Sequence, residues 1–215
     1  MKAHERVAAG IVAFALAAVL TSCAPEQVAV EPPPPPPSDT PTVTPTPAPS
    51  STSDSNSEDL LFTQPGDCND ILPPDRLAGF SNGGLSLLGG PGGSKFGEQY
   101  FSEPTPEERA GGITCVWGDD SSDFSSFVIS VAPLSPANRP SVITQLADLG
   151  LNTTTRDTAQ IYWVLGDDTT EPAQFNAIRS DSWISVISTA GGQPAFEVAS
   201  AIGAEVAGMV YSSAG

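Results

Sequence analysis

The sequence predicts an α+β domain: an antiparallel sheet of about five strands, helices packed on it, and one disulfide. Three observations carry this expectation. Strand-like segments follow one another across short turns, at Gly118, Asp119 and Asp120, at Gly166, Asp167 and Asp168, and at Ser180 and Asp181, and tight turns join antiparallel neighbours. Helical periodicity lies before, between and after these strands rather than alternating one for one with them, which argues against a parallel sheet. Two cysteines, Cys68 and Cys115, fall within the globular segment.

The elements are expected in the order α, β-β, α, β-β-β, α. Pro73, Pro74 and Asp75 open a short helix that ends near Gly79, with proline at its start where the missing N–H costs nothing. Residues 85–88 read as a strand fragment inside a glycine-rich loop. Residues 113–117 and 124–131 alternate in the manner of a strand pair. Residues 140–149 form a helix with Val142, Ile143, Leu146 and Leu149 on one face, stopped by Gly150. Residues 161–165, 173–178 and 183–189 are three more strands. The strand 161–165 is apolar on both faces, which places it centrally in the sheet with cover on both sides. Residues 194–211 form the longest helix, with Ala195, Ala199, Ile202, Val206 and Met209 as its apolar stripe.

The N-terminus has a different character. Lys2 and Arg6 precede an apolar run over residues 7–20, and Leu20, Thr21 and Ser22 lead into Cys23. That order is a secretory signal over residues 1–22. Its apolar run is shorter than the about 18 residues a membrane-spanning helix needs. The segment resembles the lipobox of bacterial lipoproteins, in which a cysteine at the first mature position receives diacylglycerol. The resemblance implies lipidation of Cys23 and a location on the extracytoplasmic face of the cell membrane.

Residues 23–59 follow as a linker. Eleven of the 22 prolines lie between Pro25 and Pro49, and a serine- and acid-rich stretch completes it. So little apolar surface cannot offset the entropy of ordering. Extended as polyproline II at about 3.1 Å per residue, roughly 36 residues would reach on the order of 100 Å. Both a semi-rigid stalk and a plain spacer fit this composition.

Residues 60–215 form one domain, long enough for a single core. It holds six basic and eighteen acidic residues, a net charge of −12. Nucleic-acid binding requires a basic footprint and is excluded. The same charge repels anionic lipid, so contact with the membrane is expected through the lipid anchor alone. With Cys23 assigned to lipid, Cys68 and Cys115 are an even pair outside the cytoplasm and read as a disulfide. It closes a loop of about 48 residues, worth roughly 4 kcal/mol at most in the chain-entropy model.

His4, inside the signal, is the single histidine. A mature chain without histidine cannot assemble a Ser-His-Asp triad, a Cys-His pair or a histidine-bearing metal site. No catalytic residue, cofactor or metal site is expected, and carboxylate chemistry is what survives. Asp119, Asp120 and Asp123 cluster after a strand, and Asp167, Asp168 and Glu171 repeat the pattern. Neither has the order of an EF-hand loop, and solvated hairpin turns account for both. The glycine-rich residues 81–97 lack the Gly-Lys-Ser/Thr close of a phosphate cradle. The segment 103–109 reads as a lid or as a flexible insertion. Trp117, Tyr162, Trp163 and Trp183 lie on neighbouring strands, where they either pack in the core or line a pocket for an apolar or glycan ligand.

Cys68, Ile71 and Leu72, the helix start at Pro73, Pro74, Asp75, Arg76 and Leu77, and the later Cys115, Val116 and Trp117 resemble a broad group of small actinobacterial lipoproteins of unknown function, whose domains pair a Cys-x-x-Leu start with a later Cys-x-Trp. The resemblance implies the Cys68–Cys115 disulfide and a role in the cell envelope. The expected function is a membrane-tethered, non-catalytic domain that binds a small apolar or glycan ligand or an envelope protein. A carboxylate-dependent envelope hydrolase and an inhibitor-like or structural module are the alternatives.

Overall fold

The computed structural model describes residues 60–122, 124–167 and 170–213. The signal 1–22, the expected acylation site Cys23, the linker 23–59 and the turn acids Asp123 and Asp168 lie outside the described residues.

The domain is α+β, as its turn chemistry implies, but its sheet is larger than five strands. Seven antiparallel strands run in the order β2-β3-β4-β8-β7-β6-β5, and a separate two-stranded ribbon pairs β1 with β9. The strands are β1 (Leu60–Phe62), β2 (Leu85–Gly89), β3 (Ile113–Asp119), β4 (Phe124–Pro133), β5 (Asn152–Arg156), β6 (Ala159–Val164), β7 (Ala173–Ile178), β8 (Ser182–Ser188) and β9 (Tyr211–Ser213). The helices are α1 (Pro74–Asn82), α2 (Pro106–Arg109), α3 (Arg139–Asp148) and α4 (Gln193–Val210), with a 3-10 turn at Cys68–Asp70. The chain makes the β3–β4 hairpin and crosses by α3 to the far edge. It then returns through β5, β6, β7 and β8 until β8 pairs with β4.

The uncounted strands carry no apolar alternation. Asn152–Arg156 is polar and exposed throughout, an edge strand whose threonines favour β structure without marking a face. β1 and β9 are three residues each and pair the two ends of the domain, Leu60 with Ser213 and Phe62 with Tyr211. Because β5 takes the edge, β6 is the penultimate strand, not a central one. It is nonetheless covered on both faces, by α4 over Ile161 and Trp163 and by α3 over Tyr162.

Strand alternation sorts the core into two layers. Cys115, Ile129, Val186, Phe175 and Trp163 stand in one register row on the face covered by α1 and α4. The disulfide joins Cys68 to Cys115 there, both fully buried, and so ties the start of the domain to the sheet. Gly90, at φ 107°, passes directly over it; a Cβ there would lie 2.8 Å from Cys68 Sγ and 2.3 Å from the Thr114 carbonyl oxygen. The glycine-rich stretch is thus a close-fitting cover for the disulfide. Phe80 stacks on Phe127 at 5.3 Å, and Arg76 makes a two-pronged ion pair with Glu205, at 2.6 and 2.7 Å, that joins α1 to α4.

α4 buries Ala199, Ile202, Gly203, Val206 and Val210. The expected stripe is rotated at its C-terminal end, where Met209 is 43% exposed and Val210 points inward, because β9 leaves the helix at Tyr211 and draws its last turn toward the sheet. On the opposite face α3 buries Val142 and Leu146 beside Ala132, Tyr162, Ile178 and Trp183. Leu149, expected on that buried face, is the residue that ends the helix and is 67% exposed.

Candidate functional site

The face of the sheet beneath α2 and α3 has a polar row where a core would be apolar. Thr114, Ser130, Ser185, Asn176 and Tyr162 stand opposite one another across β3, β4, β8, β7 and β6. Each is buried. Buried polar groups cost free energy unless bonded, and side-chain hydrogen bonds hold Thr114, Ser130, Ser185 and Asn176. Thr105 Oγ1 meets Thr114 Oγ1 at 2.7 Å, and Thr114 Oγ1 meets Ser130 Oγ at 3.0 Å. Trp183 Nε1 donates to Asn176 Oδ1 at 3.0 Å.

α2 adds a carboxyl to this row. Thr105 and Glu108 form a capping box: the Thr105 amide donates to Glu108 Oε2 at 2.8 Å, and the Glu108 amide donates to Thr105 Oγ1 at 3.2 Å. The cap holds a single helical turn that would not persist alone. It turns Glu107 inward, where it is 6% exposed. The segment 103–109, open from sequence to a lid or a flexible insertion, is therefore a capped turn seated on the sheet. Burial pushes the Glu107 carboxyl above its usual range; hydrogen bonds from its own backbone amide, Ser185 and Thr105 pull the other way without cancelling that effect.

A cleft of about 200 Å³ is lined by residues of α2, α3 and the sheet. Glu107, Ser130, Ser185 and Asn176 lie on its polar side, and Trp183 and Leu146 are among its apolar walls. Two exposed apolar residues, Phe101 (40% exposed) and Leu149, flank it. A cleft with mostly apolar walls and a few converging polar groups has the anatomy of a small-molecule site. Its volume is below the about 300–1,000 Å³ of sites that engulf a drug-sized ligand, so it fits one end of a ligand. Among the described residues Glu107 is its one carboxyl; Glu108 is bonded in the cap. Two-carboxylate glycoside hydrolysis needs acids about 5 to 9.5 Å apart across the bond, and the cleft lining supplies no second one.

The four strand aromatics take separate places. Trp183, 3% exposed, forms a wall of the cleft. Tyr162 is buried under α3. Trp117 packs beneath Phe80 at 5.7 Å, on the disulfide side of the sheet. Trp163, half-buried, lies against Phe196 of α4 at 5.1 Å. The four do not share one pocket. Glu107, Ser130, Ser185 and Asn176 were not singled out by sequence; small polar residues at matching positions of successive strands are the signal that could have found them.

The described acids of the two clusters bond locally. Asp119 Oδ1 accepts from the amide and hydroxyl of Ser121 at 2.8 and 2.7 Å, and these bonds hold its carboxyl below the usual range. Asp120 pairs with Lys95 at 3.0 Å. Asp167 accepts from the amide of Glu171 at 3.0 Å and the hydroxyl of Thr170 at 2.8 Å. Among the described residues no group of three or more His, Cys, Asp or Glu side chains is placed to hold a metal ion, and no helix is long and apolar enough to cross a membrane. Compared with family models, with curated proteins and with solved structures, the chain matches none.

Proposed function

We propose that the chain is a lipid-tethered binding protein of the bacterial cell envelope, of the small actinobacterial lipoprotein kind, and that its ligand enters the cleft between α2 and α3. The observation that carries the reading is Glu107: a lone buried carboxyl whose surroundings favour the protonated form, set among hydroxyl and amide groups inside apolar walls. In its protonated form, which burial favours relative to water, this carboxyl donates a hydrogen bond. The cleft therefore suits an uncharged, largely apolar group bearing an acceptor oxygen, such as the face of a glycan ring or an ester carbonyl. Lipidation at Cys23 and the linker 23–59 would hold the acidic domain clear of the membrane. A single carboxyl and a mature chain without histidine favour binding over hydrolysis.

The test is a fluorescence titration of the mature chain with uncharged envelope glycan fragments and short neutral acyl esters, in a Trp163→Phe background. Binding should change the emission of Trp183, survive in Glu107→Gln, which keeps a neutral donor, and weaken in Glu107→Ala. If no member of the set alters the emission, and Glu107→Ala changes stability alone, the polar row is a bonded core and the cleft reading fails.

A further inference from the structure

A second concavity, of about 330 Å³, lies on the other face of the sheet at the end where the β5–β6 and β7–β8 hairpins turn side by side. Its floor is apolar, with Ile161, Phe175 and Ile184 beneath the last turns of α4. That flank of α4 carries Gly203, Ala204, Ala207 and Gly208, and the absence of large side chains keeps the trough open. Gly203 is held small by packing: a Cβ there would lie 2.3 Å from Phe175 Cε1. Ala204 and Gly208 are exposed, and nothing lies within 4 Å of the Cβ position of Gly208.

Charge is the second, independent observation. Each of the two hairpins puts an arginine on this rim, Arg156 and Arg179. Of six cations in a domain of net charge −12, Arg76 and Lys95 are in ion pairs with acids. Neither Arg156 nor Arg179 has an ion pair among the described residues. Arg156 donates to Ser200 Oγ on α4 at 3.3 Å. Arg179 rests on the Tyr211 ring, 4.5 Å from its centroid, and Tyr211 is itself fixed by a hydrogen bond to Asp181 at 2.7 Å. Asp157 lies on the rim and Asp181 holds the Tyr211 hydroxyl beside it, so what sets this rim apart is two arginines outside any ion pair among the described residues rather than a net positive charge.

We propose that this trough binds a single fatty-acyl chain through its anionic head, with Arg156 and Arg179 holding a long-chain fatty-acid carboxylate and the chain lying under the small-residue flank of α4. A volume at the low end of the about 300–1,000 Å³ range for ligand sites suits one tail rather than the two of a phospholipid. Two guanidinium groups form charge-assisted bonds to a carboxylate. The site is separate from the cleft of Glu107 and stands or falls apart from it.

Calorimetric titration of the mature chain at neutral pH tests this with laurate and, as a probe of the same tail and opposite head, dodecyltrimethylammonium, both below micelle formation. Laurate should bind, and the cation should bind roughly tenfold or more weakly, the scale of one lost charge-assisted contact. Arg156→Ala, at an exposed position, should weaken laurate by a similar factor. Ala204→Trp, also exposed, should fill the trough and abolish binding with the thermal transition intact. The inference is overturned if laurate does not bind, if both heads bind alike, or if Ala204→Trp has no effect. Loss of laurate binding in Trp183→Phe but not in Ala204→Trp would move the ligand to the cleft and overturn it as well. Sedimentation showing that Ala204→Trp dissociates a dimer would assign the trough to a second copy and do the same.

Discussion

Trp183 and Asn176 are joined across β7 and β8 by one hydrogen bond, indole Nε1 to amide Oδ1 at 3.0 Å, with both side chains buried. They are diagonal neighbours, since Ile178 faces Trp183 and Asn176 faces Ser185 in the strand register. The bond fixes the indole as a wall of the cleft and orients the Asn176 amide within the polar row. Trp183→Phe keeps an aromatic ring but removes the donor, leaving Asn176 Oδ1 short of a partner. Stranding a buried acceptor costs about 1–3 kcal/mol. Urea denaturation should show a loss of that size, and Asn176→Leu in the same chain should recover part of it. An unchanged midpoint for Trp183→Phe would mean that the amide is solvated.

Gly203 sets two effects against each other. Glycine inside a helix costs about 1 kcal/mol relative to alanine, so Gly203→Ala would stabilise a free helix. Here the new Cβ would meet the Phe175 ring, and forcing an extra group into a packed core costs typically about 1–3 kcal/mol. Overpacking outweighs the gain in helix propensity, and Gly203→Ala should lower the thermal midpoint. Gly208, with open space around its Cβ position, is the control: Gly208→Ala should raise it.

Cys68 and Cys115 should give no reactive thiol when the domain is unfolded without reductant. Reduction should cost about 2–5 kcal/mol, the usual range for a native bridge in a small secreted domain. Thiol titration in denaturant, followed by unfolding curves with and without reductant, reads both quantities.

Cys23 should carry a diacylglyceryl group, because basic, apolar and small-residue segments precede it in the required order. Intact mass of the mature chain should show the acyl addition, and Cys23→Ser should leave the membrane fraction or accumulate as precursor. A mature mass without lipid would remove the tether from the proposed function.

The architecture was legible where burial imposes a period. Residues 173–178 and 183–189 are read as strands because apolar side chains recur there on faces that the structure buries, and α3 and α4 are legible because their inward residues recur every three or four positions. Asn152–Arg156 was not, because an exposed edge strand has no buried face to mark it. β1 and β9 were not, because their pairing joins the two ends of the domain and no local pattern encodes it. The site was legible in one member. Trp183 stands out as a large residue on a strand. Ser130, Ser185 and Asn176 are small and unremarked until the register places them side by side. Glu107 sits in a segment whose proline and acids read as surface; only the cap made by Thr105 and Glu108 turns it inward.

The central claim is that burial in the cleft raises the Glu107 carboxyl above its ordinary range, and the pH dependence of stability in Glu107→Gln against the wild type tests it most directly. The native carboxyl titrates above its unfolded value, so the folded state binds its proton more tightly. The stability this contributes is complete below the unfolded value of about 4.3 and is lost as pH rises through the raised native value. Glu107→Gln keeps the shape and a donor but does not titrate. The unfolding free energy of the variant minus that of the wild type should therefore grow as pH rises through that window and level off above it. A difference that stays flat, or that shrinks as pH rises because the wild type gains stability with ionisation, would show a carboxylate at home in its charged form and would contradict the account.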